Sequence, residues 1–185
     1  NYSFYASRGY VIFNPDVPYR DGYPGESAYN AVIAGVSSLI NEGFIDKDRV
    51  GVQGHSWGGY QIAYLVTKTD MFACAEAGAP VVNMISAYGG IRWQTGLSRM
   101  FQYEQTQSRI GGTIWEYPMR YWENSPIFFT DKINTPVLIM HNDADGHVPW
   151  YQGIEFFVSM RRLGKPAWML NYNDEPHWPL KLQNR

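Results

Sequence analysis

The sequence predicts an α/β fold, a mostly parallel sheet flanked by helices, and three observations carry that expectation. Short apolar, β-branched runs bounded by turn residues recur along the chain, helix-like stretches lie between most of them, and no repeat, low-complexity segment or linker interrupts the alternation. With 185 residues, 45% of them hydrophobic and 16% aromatic, the chain has the size of one domain and enough apolar surface for a substantial core.

In chain order, the opening NYSFYASRG reads as a helix with Gly9 near its C-terminal end, delivering the chain into the first apolar run. Strands are expected over residues 10–14, 50–53, 72–76, 137–141 and 167–171. Helices are expected over 26–41, 57–67 and 151–163, and Gly43 and Gly164 sit where two of them should stop. From Pro80 to Pro136 the pattern loosens into helices and loops rich in Tyr, Trp, Met and Gly that cover the sheet. Most of those rings are expected to pack, with some left to line a substrate pocket.

Composition narrows the function classes. The 15 Lys and Arg against 17 Asp and Glu give no field that would recruit nucleic acid or an anionic membrane. No apolar run approaches the ~20 residues that span a bilayer, and no signal segment opens the chain. The single cysteine, Cys74, cannot form an internal disulfide and reads as packing, which leaves the compartment open.

The strongest chemical signal is Gly54-His55-Ser56-Trp57-Gly58-Gly59, which follows an apolar run and precedes a helix. That is the context of a nucleophile elbow, where a serine sits on a strained strand-to-helix turn and glycines two residues to either side, Gly54 and Gly58, avoid collision. The N–H of Trp57, opening the helix, is then expected to face developing negative charge on a substrate carbonyl. The bland alternative is a glycine-rich turn with an inert serine.

Chain order strengthens the catalytic reading, because an α/β-hydrolase fold needs its acid after a later strand and its histidine after the next. Asn142-Asp143-Ala144-Asp145-Gly146-His147-Val148-Pro149 follows the fourth expected strand, and two aspartates there compete for the acid role. Asn173-Asp174-Glu175-Pro176-His177-Trp178 follows the fifth and makes His177 the natural base. A serine hydroxyl needs such an imidazole to take its proton, and the imidazole needs a carboxylate to fix its tautomer. No cofactor or metal is required. His141, Asp143, Asp145 and His147 share one parity and suggest a metal site, but a compact loop rarely turns four ligands inward, so this is set aside. His141 is expected to pack at the strand end, His147 to lie on a surface loop, and His55 to pack beside the site.

The combination GHSWGGY, LIMHNDADGHVPW and NDEPHWP resembles the C-terminal peptidase domain of the prolyl oligopeptidase family over nearly the whole chain. The resemblance implies a serine peptidase acting on oligopeptides through an acyl-enzyme. Its D-x-x-V pattern selects Asp145 over Asp143, leaving Asp143 as a loop-capping or solvated carboxylate. It also implies first strands carrying an oxyanion tyrosine, a closing helix, and a β-propeller outside this chain, so residues 1–185 are expected to be a partial catalytic domain. The stretch NPDVPYRDGYPGE departs from the R-G-S/T-rich turn of relatives. A carboxylesterase would use the same three residues, and a catalytically silent interaction domain is the alternative of another class. Oligomeric state is open.

Overall fold

The computed structural model describes residues 2–184, and its centre is a four-stranded sheet in which every pairing is parallel. The strands are β1 (Gly51–His55), β2 (Cys74–Gly78), β5 (Val137–Met140) and β6 (Ala167–Leu170), in the order β1-β2-β5-β6. A separate antiparallel hairpin pairs β3 (Ile91–Arg92) with β4 (Leu97–Ser98). The helices are α1 (Tyr2–Ala6), α2 (Pro24–Asn41), α3 (Trp57–Leu65), α4 (Met84–Tyr88), α5 (Met100–Glu104), α6 (Pro118–Glu123) and α7 (Tyr151–Arg162). Among the described residues no helix is long and apolar enough to cross a membrane.

Parallel strands must be joined by crossovers, and the helices between them supply the apolar stripes that bury the sheet. α3 packs along β1 and β2, α7 along β5 and β6, and α2 docks on α3. The resulting core joins Leu65 of α3 and Val66 just beyond it, Ala77 and Ile139 of the central strands, and Phe156 and Met160 of α7. Burying side chains of the size of Phe156 or Ile139 stabilises the fold by about 1.5–3 kcal/mol each. A second apolar cluster connects Tyr60 and Tyr64 of α3 to Met84, Tyr88, Tyr103, Tyr121 and Val148. The Pro80–Pro136 segment packs against α3 through Tyr88, Tyr103 and Tyr121, but the expectation that most of its rings pack fails, because Trp93, Phe101, Trp115, Tyr117, Trp122 and Phe128 stay exposed.

Two local expectations fail. Residues 10–14 form no strand: Tyr10, Val11, Ile12 and Phe13 stay exposed, and the Phe13 ring lies against Gly35 of α2. A β-branched run becomes a strand only with a ladder partner, and Pro15 and Pro18, which lack the N–H a ladder needs, follow at once. Cys74 is exposed rather than packed, because it opens β2 at the rim of the sheet, with its sulfur beside Gly51. The β3–β4 hairpin was not foreseen; each strand has only two residues, too few for an alternating pattern.

Candidate active site

One row of the sheet organises the site. His55, Gly78, Met140 and Leu170 stand side by side in register, and each is the last residue of its strand. The turn at Ser56, the loop after β5 and the loop after β6 therefore leave the sheet at one level, its carboxyl edge, where sites of open α/β sheets lie.

Ser56 occupies φ 61°, ψ −117°, between β1 and α3, a conformation that costs a non-glycine residue about 1–3 kcal/mol. Its N–H donates to the carbonyl of Gly78 at 2.7 Å, which ties the turn to the neighbouring strand. A Cβ on Gly54 would lie 2.6 Å from the Gly58 carbonyl, so glycine is required there. Gly58, expected to be equally constrained, faces open space; the second crowded position is Gly59, whose added Cβ would meet Gly78 O at 2.3 Å. Trp57 is the first residue of α3, so its N–H belongs to the first helical turn, whose N–H groups have no intrahelical acceptor. Sequence reasoning missed Tyr19, whose hydroxyl accepts Trp57 Nε1–H at 2.8 Å and the Gln61 amide at 2.5 Å.

Asp145 is buried at the heart of the loop after β5. One carboxylate oxygen accepts the N–H groups of His147 and Val148 at 2.8 and 2.9 Å. The other lies 2.7 Å from His177 Nδ1 and 3.3 Å from His141 Nε2. Burial alone would raise its pKa, but the bonds from His141 and His177, the His177 charge and the Val148 N–H hold the carboxyl well below the ordinary range. An ionised carboxylate only accepts, so the proton of this bond sits on His177 Nδ1. His141 Nε2 likewise faces two acceptors, Asp145 and Val148 O at 3.2 Å, and donates to them.

The loop that carries His177 is held by residues that no motif signals. Asp143 accepts the N–H of Asp174 at 2.8 Å, at a residue with φ 59°, so the rival aspartate caps the histidine loop. Asn142 donates to Pro176 O at 2.8 Å, and the buried Glu175 carboxylate accepts the N–H groups of Leu180 and Lys181 and the Asn184 amide. Histidines flank His177 on both sides. The His55 ring lies 4.7 Å from that of His177, and burial, then the His177 charge, pushes it down to about 4. His147 is half-buried rather than a free surface residue, stacked on His177 at 4.8 Å and 23°. Asp145, His147 and His177 gather within metal-ligand range, yet both Asp145 oxygens and His177 Nδ1 already have partners, a donor set poorly suited to a metal.

Comparison with known proteins agrees with this architecture. Dipeptidyl-peptidase 5 of Porphyromonas endodontalis is 30% identical over 204 residues, covering 97% of this chain and 27% of that protein. The acylamino-acid-releasing enzyme of Rattus norvegicus is 25% identical, over 84% of this chain and 21% of its own length. The chain thus spans about a quarter of these relatives. Among solved structures, a puromycin hydrolase superposes with a TM-score of 0.73 at 26% identity, over 85% of this chain and 23% of that one. An acylaminoacyl peptidase complexed with Z-Gly-Gly-Phe-chloromethyl ketone shares the fold with a TM-score of 0.75 at 22% identity, over 85% of this chain and 24% of that one. The model of the prolyl oligopeptidase family matches residues 1–185, and on that evidence, joined to an α/β-hydrolase sheet with its loops in the expected order, the chain belongs to the prolyl oligopeptidase family of serine peptidases.

Proposed function

We propose that Ser56, His177 and Asp145 are the nucleophile, base and acid of a peptidase that cleaves oligopeptides through an acyl-enzyme. The observation that carries the proposal is the 2.7 Å contact between His177 Nδ1 and a buried Asp145, with Ser56 on a strained turn that leaves the same edge of the sheet. In this mechanism Ser56 Oγ attacks the substrate carbonyl as His177 Nε2 takes its proton, and Asp145 stabilises the imidazolium that forms. The Trp57 N–H donates to the oxyanion, helped by the dipole of α3. His177 then protonates the leaving amine, and water, activated the same way, releases the acyl group. No cofactor enters.

The peptide substrate is supported by the relatives, which are named as a dipeptidyl-peptidase, an acylamino-acid-releasing enzyme and a puromycin hydrolase. A β-propeller outside these residues belongs to the same proposal. Intact mass after reaction with a fluorophosphonate probe tests it: one adduct on the wild-type chain and none on Ser56→Ala is the expected pair of results. An unlabelled wild type, or a labelled Ser56→Ala, removes Ser56 from the nucleophile role.

A further inference from the structure

The loop carrying Asp145 is overlaid by two arginines that lack acidic partners. The hairpin β3–β4 docks on this loop: Gln94 N–H reaches Gly146 O at 3.5 Å, and a Cβ on Gly146 would lie 2.9 Å from Gln94 Cβ. Arg92 ends β3, and the turn that follows is closed onto its carbonyl by the Thr95 and Gly96 N–H groups, so its position against the loop is fixed. Just beyond β4, Arg99 is 1% exposed and donates to the carbonyl of His147 and to the Tyr103 hydroxyl. Neither arginine forms an ion pair among the described residues. Arg92 Nε is buried with no hydrogen-bond partner among the described residues.

A partly desolvated guanidinium without an anion is an unfinished interaction. Burial, then the charge of Arg99, pulls the Arg92 pKa down, while Tyr103 and Asp145 oppose the shift. Asp145 does not complete the pair, since its oxygens are taken by His177, His141 and two backbone N–H groups. His147, stacked on His177, also feels the charges of both arginines, which sets them beside the histidine proposed as base. Tyr103, held by Arg99, closes the buried side.

We propose that Arg92 is a specificity residue that binds a carboxylate of the peptide substrate beside the scissile bond, with Arg99 fixing the loop and adding field. The inference rests on Ser56 being the nucleophile. A planar guanidinium matches a carboxylate in a bidentate pair, and a partly buried site built for that pair discriminates against substrates lacking it. Two sources supply such a group: an acidic side chain next to the cleaved bond, or the free C-terminus of a short peptide.

Three matched fluorogenic peptides separate them in the full chain: a neutral peptide with an amidated end, the same peptide with a free carboxyl end, and the amidated peptide with aspartate beside the scissile bond. The expected result is that kcat/KM for one carboxylate peptide exceeds the neutral one by about tenfold or more, the size of a charge-assisted pair. That ratio should collapse in Arg92→Gln and recover in part in Arg92→Lys, with Ser56 still labelled by the fluorophosphonate in each variant. Whichever carboxylate peptide shows the effect identifies the source. A labelled Ser56 with ratios unmoved by Arg92→Gln overturns the carboxylate site alone. An unlabelled wild-type Ser56 overturns the hydrolase reading, and the carboxylate site with it.

Discussion

Gly59 of α3 rests on the carbonyl oxygen of Gly78, so closely that a Cβ on residue 59 would lie 2.3 Å from that oxygen. The same carbonyl accepts the Ser56 N–H, so one backbone group of β2 sets both the height of Ser56 and the start of the helix that follows it. Gly59→Ala must push α3 away from the sheet, which overpacking costs put at about 1–3 kcal/mol. A lower melting temperature and slower fluorophosphonate labelling are expected together. Gly58→Ala meets no atom within 4 Å and gains helix propensity, so it should melt at or above wild type. Identical melts for the two variants would contradict this division of the glycines.

The two aspartates of the acid loop make a second contrast. Asp145→Asn places an amide where an acceptor now faces His177 Nδ1–H, and the wrong tautomer of the base follows. In a comparable serine triad that change lowers kcat by about 10⁴-fold, and a loss of that order is expected here. Asp143 touches only the rim of the histidine loop through Asp174 N–H, which an asparagine side-chain oxygen also accepts. Asp143→Asn should keep kcat within about tenfold of wild type, a change of roughly 1.4 kcal/mol. Steady-state kinetics with one peptide substrate decide the assignment; comparable losses in both variants would dissolve it.

The positions of Ser56, Asp145 and His177 at one edge were legible because each lies in a turn or loop that follows a strand in the sequence, and strands in register deliver their loops to one edge. The limits of α2, α3 and α7 were legible to within two residues, since stops such as that of α2 coincide with turns like the one at Gly43, whereas α1 stops at Ala6, short of Gly9. What sequence hid was contact between distant segments. Nothing local says that residues 10–14 lack a ladder, that Gly59 rather than Gly58 is crowded, or that Asp143 reaches across to Asp174. Nothing in the sequence marks Arg92, which only the docking of the hairpin on the loop after β5 brings near Asp145.

Glu175 is the least conspicuous support of the loop that carries His177. Its carboxylate accepts Leu180 and Lys181 N–H and the Asn184 side chain, folding the segment after His177 back beneath it. In Glu175→Ala those donors lose their acceptor, and amide hydrogen exchange at Leu180 and Lys181 should quicken while the sheet stays protected. Ser56 labelling should slow with it, because the His177 loop loses one of its ties. Unchanged exchange at both amides would show that the turn holds itself.

The last prediction concerns a carboxyl that the mechanism does not use. Glu76 lies in the middle of β2, opposite Gln53 and Leu138, and its Oε1 sits 3.1 Å from the position a Gly78 Cβ would take, beneath the nucleophile turn. Burial pushes its pKa up to about 7 from 4.5, against a smaller opposing effect of the Gly54 backbone N–H. Between pH 4.5 and 7 the folded chain keeps a proton that the unfolded chain has released, so stability falls as pH rises through this window and stays lost above it. At about 1.4 kcal/mol per pKa unit the loss approaches about 3 kcal/mol. Glu76→Gln removes the ionisation with little change of shape. Urea unfolding from pH 4.5 to 8 should show variant and wild type drawing apart as pH rises, with the variant ahead and the gap levelling above pH 7. A gap independent of pH would mean that Glu76 ionises in the folded chain as freely as in the unfolded one.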